Sequence, residues 1–293
     1  MRIAIGLEYD GAAFCGWQTQ PSSCGVQDHL QAALSQFADS PIEVTAAGRT
    51  DAGVHAAAQV VHFDTEATRA DWVRGTNAHL PPAVRAVWSA PVPTDFHARY
   101  SARSRTYRYL LVNAPVAPAL LARKAGWYHR PLDVERMLEG AQALVGAHDF
   151  SAFRDAQCQA KSPVRDLTLA RIERRGDLVD FTFRANAFLH HMVRNMVGAL
   201  VYVGAGKQPP EWIGELLGQR DRTKSAPTFA PDGLYLAAIE YDTAFSIPDF
   251  PKHALLPLPL GEGSQGRSPS SLGEGSQGRS PSPLGEGRGE GNQ

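Results

Sequence analysis

Hydrophobic periodicity in this chain switches between a two-residue and a roughly 3.6-residue repeat in one fixed order, and it runs through that order twice. The first series predicts strand 2–9, helix 26–38, strand 42–48, strand 58–64, helix 69–79 and strand 84–90. The second predicts strand 103–112, helix 133–145, strand 165–174, strand 178–185, helix 190–204 and strand 234–241. The first helix rests on Val26, Leu30, Ala33, Leu34 and Phe37, an apolar stripe at three- and four-residue intervals, with Pro41 beyond its end. Two β-α-β-β-α-β units define an α+β chain. They predict two ferredoxin-like halves, 1–98 and 99–245, whose antiparallel-rich mixed sheets join around a central groove. The repeat is one of topology, with no evident identity of residues between the halves.

The character changes after about Phe250. Gly261-Glu262-Gly263-Ser264-Gln265-Gly266-Arg267-Ser268-Pro269-Ser270-Ser271-Leu272 recurs almost unaltered from Gly273 to Leu284 and then decays. One Leu per repeat cannot offset the entropy of ordering the segment, so 246–293 is predicted to be a disordered Gly/Ser/Pro tail. Each repeat carries one acid and one arginine, a poor electrostatic tether for RNA.

The chain has 293 residues, 43% of them hydrophobic, enough for two ordinary domains with buried cores. Its formal net charge is only -1, so any polyanion must be held by local basic patches. Cys15, Cys24 and Cys158 are odd in number and lack a Cys-x-x-Cys pair, which argues against a disulfide framework or a zinc ribbon and fits a reducing cytoplasm. The N-terminus opens directly on a strand-like run, and no segment approaches the roughly 20 apolar residues of a membrane span, so a cytoplasmic location is expected.

Several groups could carry chemistry. In Gly48-Arg49-Thr50-Asp51-Ala52-Gly53-Val54-His55-Ala56 an acid stands in a turn of small residues beside an arginine. Asp51 either caps a short helix starting at Ala52 or faces a large planar substrate that the glycines allow to come close. Arg99, Arg103, Arg105 and Arg108 are interleaved with Tyr100, Tyr107 and Tyr109, with no acid among them. Such a stripe suits a phosphate backbone with bases stacked on rings, or a charged strand edge that resists aggregation. Tyr107, Tyr109 and Leu111 share one strand face, so one tyrosine is expected in the core. In His190-His191-Met192-Val193-Arg194-Asn195 the apolar face continues through Met196, Val197 and Leu200, leaving Arg194 on the polar face with His191, Asn195 and Gly198, in solvent or in a cleft. The adjacent histidines diverge by about 100° on a helix, which disfavours a metal site. Asp232-Gly233-Leu234-Tyr235-Leu236 opens the last strand, with Leu234 a core candidate after a turn glycine.

Gly48–Ala56 resembles the active-site signature of the tRNA pseudouridine synthase A family, in which the aspartate is catalytic. Ser104-Arg105-Thr106-Tyr107-Arg108-Tyr109 is similar to the family segment whose first tyrosine stacks on the target base. Ala185–Asn195 resembles the second signature, whose arginine pairs with the catalytic aspartate, and Leu234 corresponds to the apolar residue that packs on the flipped base. The resemblance covers about residues 1–241 and leaves out the tail. It implies a homodimer that converts uridine to pseudouridine at tRNA nucleotides 38, 39 and 40, in the anticodon arm, without cofactor or metal. Asp51 is then the nucleophile or the acid/base, Arg194 keeps it ionised and oriented, and Tyr107 stacks on the base. Arg49 contacts phosphate or steadies the turn, while Arg105 and Arg108 bind substrate. Attack at C6 and formation of a glycal both remain open.

Two rival classes stand beside this reading. A non-catalytic RNA-binding module would use the same aromatic and basic strands. A glycoside hydrolase would usually need two cooperating carboxylates, and Asp51 has no evident partner in the sequence.

Overall fold

The computed structural model describes residues 1–251. The first strand, β1 (Arg2–Tyr9), is buried along most of its length on both faces, because it lies inside a sheet between β3 (His55–Asp64) and β4 (Val84–Val92). Pairing is antiparallel on both sides, from Ile3↔Phe63 and Ile3↔Pro91 onward. A two-residue strand, β2 (Thr45–Ala46), adds to β3. In the second half β5 (Ala102–Asn113), β9 (Leu178–Ala185) and β8 (Val164–Arg175) follow in antiparallel order, with β7 (Gly146–Asp149) on β8 and β6 (Gly126–Tyr128) on β5. The last strand, β10 (Leu234–Tyr241), pairs antiparallel with β5 and parallel with β3 at Tyr235↔His55 and Leu236↔Ala56. It thereby closes a single ten-stranded sheet, β4-β1-β3-β10-β5-β9-β8-β7 along its main path.

Helices cover one face. In α1 (Val26–Ala38) Leu30 and Leu34 are fully buried and share a cluster with Ile5, Leu7 and Phe63. The short α2 (Trp72–Asn77) starts where the Asp71 side chain accepts the Arg74 amide. In the second half α3 (Val134–Gln142), α4 (Met192–Gly204) and α5 (Trp212–Gln219) contribute Met137, Met196 and Leu216 to a cluster with Phe181 and Phe183. Smaller clusters occupy the opposite face, one around Trp88 and Phe96 and one around Leu110 and Val112.

Departures from the expected elements have local causes. The strand expected at 42–48 pairs only at Thr45–Ala46, because Ser35 Oγ and Gln31 Oε1 accept the amides of Ile42 and Val44 at 2.8 and 3.1 Å, bonds a sheet ladder would otherwise make. The helix expected at 190–204 begins at Met192, after His191 adopts a left-handed backbone with φ 60°. β6, β7 and α5 were not anticipated: the two strands are too short to alternate visibly, and α5 carries two glycines behind Pro209-Pro210. Ile247 and Phe250 pack beside Trp88, so packing extends into the first residues of the segment assigned to the tail. The tail's repeats lie outside the described residues. The cysteine reading also needs correction, since Cys15 and Cys24 form a disulfide with Cα atoms 5.4 Å apart. The loop folds back on itself there, with the Cys15 amide donating to the Cys24 carbonyl, and odd parity simply left Cys158 over. The cysteines therefore no longer argue for a reducing compartment. Among the described residues, no helix is long and apolar enough to cross a membrane.

Candidate active site

The parallel contact between β3 and β10 sets the beginnings of the two strands side by side, and Asp51 lies in the turn that leads into β3. No helix follows Asp51, so the capping alternative falls: the chain makes a tight turn with the Val54 amide on the Asp51 carbonyl. Gly53 sits at φ +81°, a conformation that a side chain would strain, with Pro231 packed against it. Neighbouring groups immobilise the turn. Tyr9 Oη and Thr50 Oγ1 are 2.8 Å apart in the core, the Trp17 amide donates to the Thr50 carbonyl, and Gln59 Nε2 donates to the Gly48 carbonyl at 2.7 Å.

His55, buried at the start of β3, braces the turn against two distant segments. Its Nδ1 accepts the Gly11 amide at 3.1 Å, so by elimination Nε2 carries the hydrogen and donates to the carbonyls of Arg123 and Asp232 at 2.9 and 3.1 Å. Burial, with the Lys124 charge second, lowers its pKa despite Asp10, consistent with this neutral tautomer. The ring stacks on Tyr235 with centroids 4.6 Å apart.

Arg194 projects from the first turn of α4 into a cleft, not into solvent. Its Nη1 donates to Asp51 Oδ2 at 3.1 Å and its Nε to the Phe229 carbonyl at 2.8 Å, so the guanidinium is aimed before any ligand arrives. The polar face expected around it is covered. Asn195 is fully buried, donating to the Phe153 carbonyl and accepting from Arg222 and Thr228, and a Cβ on Gly198 would meet the Pro227 carbonyl at 2.4 Å.

Asp51 and Arg194 lie on the wall of a cavity of about 1020 Å³, together with Tyr107 and Leu234. β5 presents Tyr109 wholly to the core and leaves Tyr107 half-buried toward the cavity, edge-on to Phe188 with centroids 5.0 Å apart. Burial first, then the neighbouring Tyr9 and Asp51, push the Tyr107 phenol well above its ordinary range, so it is a neutral hydroxyl over an apolar ring. Leu234 is 5% exposed yet reaches the cavity, so it serves the core and the wall together.

The arginines divide. Arg49 is exposed at the cavity's edge. Arg105 reaches the cavity but spends its guanidinium on the carbonyls of Ala102, Asn186, Ala47 and Arg99, tying β5 to the strand leading into the Asp51 turn. Arg103 pairs with Asp242 at the surface. Arg108 is a correction: it is 3% exposed, on the sheet face opposite Tyr107, and its Nε and Nη2 both bind the Asp180 carboxylate. It cannot reach a substrate in this cavity.

The sequence reading named His190 and His191 but did not bring them to Asp51, and it missed Asp155 beside them. The rings of His190 and His191 do not diverge; they stack with centroids 4.0 Å apart because they precede the helix and His191 is left-handed. His190 Nε2 lies 3.3 Å from Asp51 Oδ1, and His191 Nε2 lies 3.3 Å from Asp51 Oδ2. Asp155 faces the other side of both rings. Ligand atoms of Asp51, His190 and His191 fall within 4.8 Å of one another, a spacing that a divalent ion could bridge, although the Arg194 guanidinium on the same carboxylate opposes a second cation.

A family profile described as tRNA pseudouridine synthase matches residues 6–101 and 141–242, which include Asp51, Arg194 and Leu234. The tRNA pseudouridine synthase A of Thiobacillus denitrificans is 58% identical over 251 residues, covering 85% of this chain and 96% of that protein. The proteins of the same name from Methylobacillus flagellatus and Paraburkholderia phytofirmans are 58% and 56% identical over 250 and 249 residues, covering 85% and 84% of this chain and 96% and 92% of theirs. The geometry around Asp51 and this similarity along most of the described chain lead to one conclusion: the chain belongs to the tRNA pseudouridine synthase A family.

Proposed function

We propose that this protein isomerises uridine to pseudouridine in the anticodon arm of tRNA, at nucleotides 38, 39 and 40, and that it does so as a cytoplasmic homodimer. The observation that carries the reading is the contact of Arg194 Nη1 with Asp51 Oδ2 at 3.1 Å, at the wall of a cavity that also takes Tyr107 and Leu234. The chain is read as two ferredoxin-like halves, 1–98 and 99–245, in keeping with the strand orders β4-β1-β3-β2 and β10-β5-β9-β8.

Isomerisation breaks the N1–C1′ bond, turns the base, and rejoins it through C5 with loss of the C5 proton. Asp51 starts the reaction as nucleophile or base, oriented by Arg194. The target base leaves its stack at a cost of a few kcal/mol and lies between Tyr107 and Leu234. Arg49, at the cavity's edge, contacts the phosphate beside that base or steadies the turn. None of these steps requires a redox group.

Transfer RNA labelled with tritium at uridine C5 tests the reading. The native protein is expected to release label as C5 is joined to the sugar, and the folded Asp51→Asn protein to bind tRNA within about tenfold of native, ~1.4 kcal/mol, without releasing it. Sustained release by that variant would sink the assignment of Asp51. Binding of tRNA with no release by either protein would favour an RNA-binding module.

A further inference from the structure

Asp51 is held from two sides, by Arg194 on one and by a pair of stacked imidazoles on the other. The His190 and His191 rings lie between two carboxylates: each turns Nε2 to Asp51 at 3.3 Å, and Nδ1 faces Asp155 at 3.4 Å for His190 and 2.8 Å for His191. A neutral imidazole donates through one nitrogen only, so a ring with a carboxylate at each nitrogen satisfies both only when it carries the extra proton. Two rings share the two acids, hence a single added proton can be stabilised on either.

The loop that carries Asp155 is fixed independently of the rings. The Gln157 amide donates to Asp155 Oδ1 at 2.8 Å, and Arg154 Nη2 holds the carbonyls of Cys158 and Ala160 at 2.7 and 2.9 Å. Burial works to raise the Asp155 carboxyl, but the Gln157 amide and the two imidazoles outweigh it and hold it below the ordinary carboxylate range. The Tyr107 phenol, also at the site, is driven upward by burial and is a poor proton acceptor at neutral pH. His190 has the more open of the two side chains, 37% exposed against 23% for His191, which gives the pair a route to solvent.

We infer that Asp155, His190 and His191 form a proton relay that discharges the Asp51 carboxyl during isomerisation, an inference that rests on Asp51 being the reacting acid. After the base is rejoined through C5, the C5–H bond breaks. Its electron pair restores the C5–C6 double bond, and the proton passes to an oxygen of Asp51. From there it moves to Nε2 of a neutral imidazole, the Nδ1–H of His191 remaining on Asp155 Oδ2 at 2.8 Å. His190 returns it to water, and N1 of the product takes one proton from water, so the isomerisation is balanced. These three are positioning residues, because they act on the substrate only through Asp51. The charged and titratable groups around the rings are Asp51 and Arg194 on one side and Asp155 and Cys158 on the other, with Arg154 and Arg222 beyond Asp155.

Single-turnover tritium release from C5-labelled tRNA, measured across pH, tests the relay in Asp155→Asn, His191→Ala and the double His190→Gln/His191→Gln protein. Expected are losses of about a hundredfold or more in rate at saturating tRNA, with tRNA affinity within threefold and a flattened pH profile. Added imidazole is expected to restore part of the His191→Ala rate. If Asp155→Asn fails to fold, the histidine variants decide. Rates within threefold of native would overturn the relay. So would parallel losses of rate and affinity with an unchanged pH profile and no rescue, which would make the three residues packing groups. Inactivation of the native protein by a chelator, reversed by zinc, would replace the relay with a metal site. If the native protein releases no tritium, the proposed function itself fails and takes the relay with it.

Discussion

Two arginine–aspartate pairs sit on opposite faces of the same sheet and are put to different uses. Arg108 and Asp180 are 3% and 9% exposed in their side chains and meet as a two-point fork across β5 and β9. Arg194 touches one oxygen of Asp51, spends its Nε on a backbone carbonyl, and leaves Asp51 22% exposed toward the cavity, with the histidine rings at its remaining edge. A sealed fork satisfies both ions at the cost of dehydrating them, and nothing is left over for a ligand. Asp51 meets its arginine at one oxygen only, has an imidazole 3.3 Å from each oxygen, and still opens toward the cavity. What separates a structural ion pair from a reactive one here is therefore access: Asp180 is sealed, while Asp51 opens to the cavity and to two imidazoles.

The largest expected effect separates the two aspartates. Asp51→Asn should lower turnover on the order of 10²–10⁴-fold or more, while its melting temperature stays close to native. A comparable loss of stability would erase the distinction. Asp180→Asn should do the reverse: removing one partner of a buried pair costs about 3–5 kcal/mol, read as a lower denaturation midpoint, while tritium release per folded molecule is retained. Replacing both Arg108 and Asp180 with apolar residues of similar volume should recover much of that loss, because no uncompensated charge is left buried.

Intermediate effects sharpen the contrast at the cavity. Arg194→Lys retains charge but loses the planar fork, and it should reduce single-turnover rate more than tRNA affinity. Loss of affinity alone would make Arg194 a phosphate contact. Tyr107→Ala should remove roughly 1–3 kcal/mol of base stacking, and unaltered modification kinetics would return Tyr107 to the core.

A smaller effect belongs to a histidine whose burial outweighs the one nearby carboxylate, Asp64. Burial, aided by the Arg2 charge, pushes the His62 pKa down to about 4. The unfolded chain binds that proton more readily, so stability should be complete above about pH 6.5 and decline as pH falls toward 4. In His62→Gln that part of the decline should vanish from denaturation curves taken at pH 7 and pH 5. At the bottom of the scale, removal of residues 252–293 should change neither melting temperature nor modification.

Long periodic segments were legible because burial on one face imposes the spacing: 26–38, 178–185 and 234–241 fold over the expected residues. Legibility failed where side chains competed for backbone. Ser35 and Gln31 take amides that a strand at Ile42 and Val44 would have used, and no pattern of apolar residues encodes that. At the candidate site, the meeting of Asp51 and Arg194 followed from family signatures, not from periodicity. Strand alternation alone turns an arginine between Tyr107 and Tyr109 to the other side of the sheet. What alternation could not supply was its partner, Asp180. The histidine pair was hidden by a single left-handed residue, His191, which turned a helical expectation of divergence into a stack.

The seam between β3 and β10 also bears on how the protein reaches its working state. His55 and Asp232 are 177 residues apart in sequence, and Asp51 and Arg194 are 143 apart, so these contacts close large loops and carry a high entropic cost during folding. Helices and hairpins within each half close far shorter ones and are expected to form first. In refolding from denaturant, recovery of tritium release should lag behind recovery of helical signal, and activity would then report the last step of assembly.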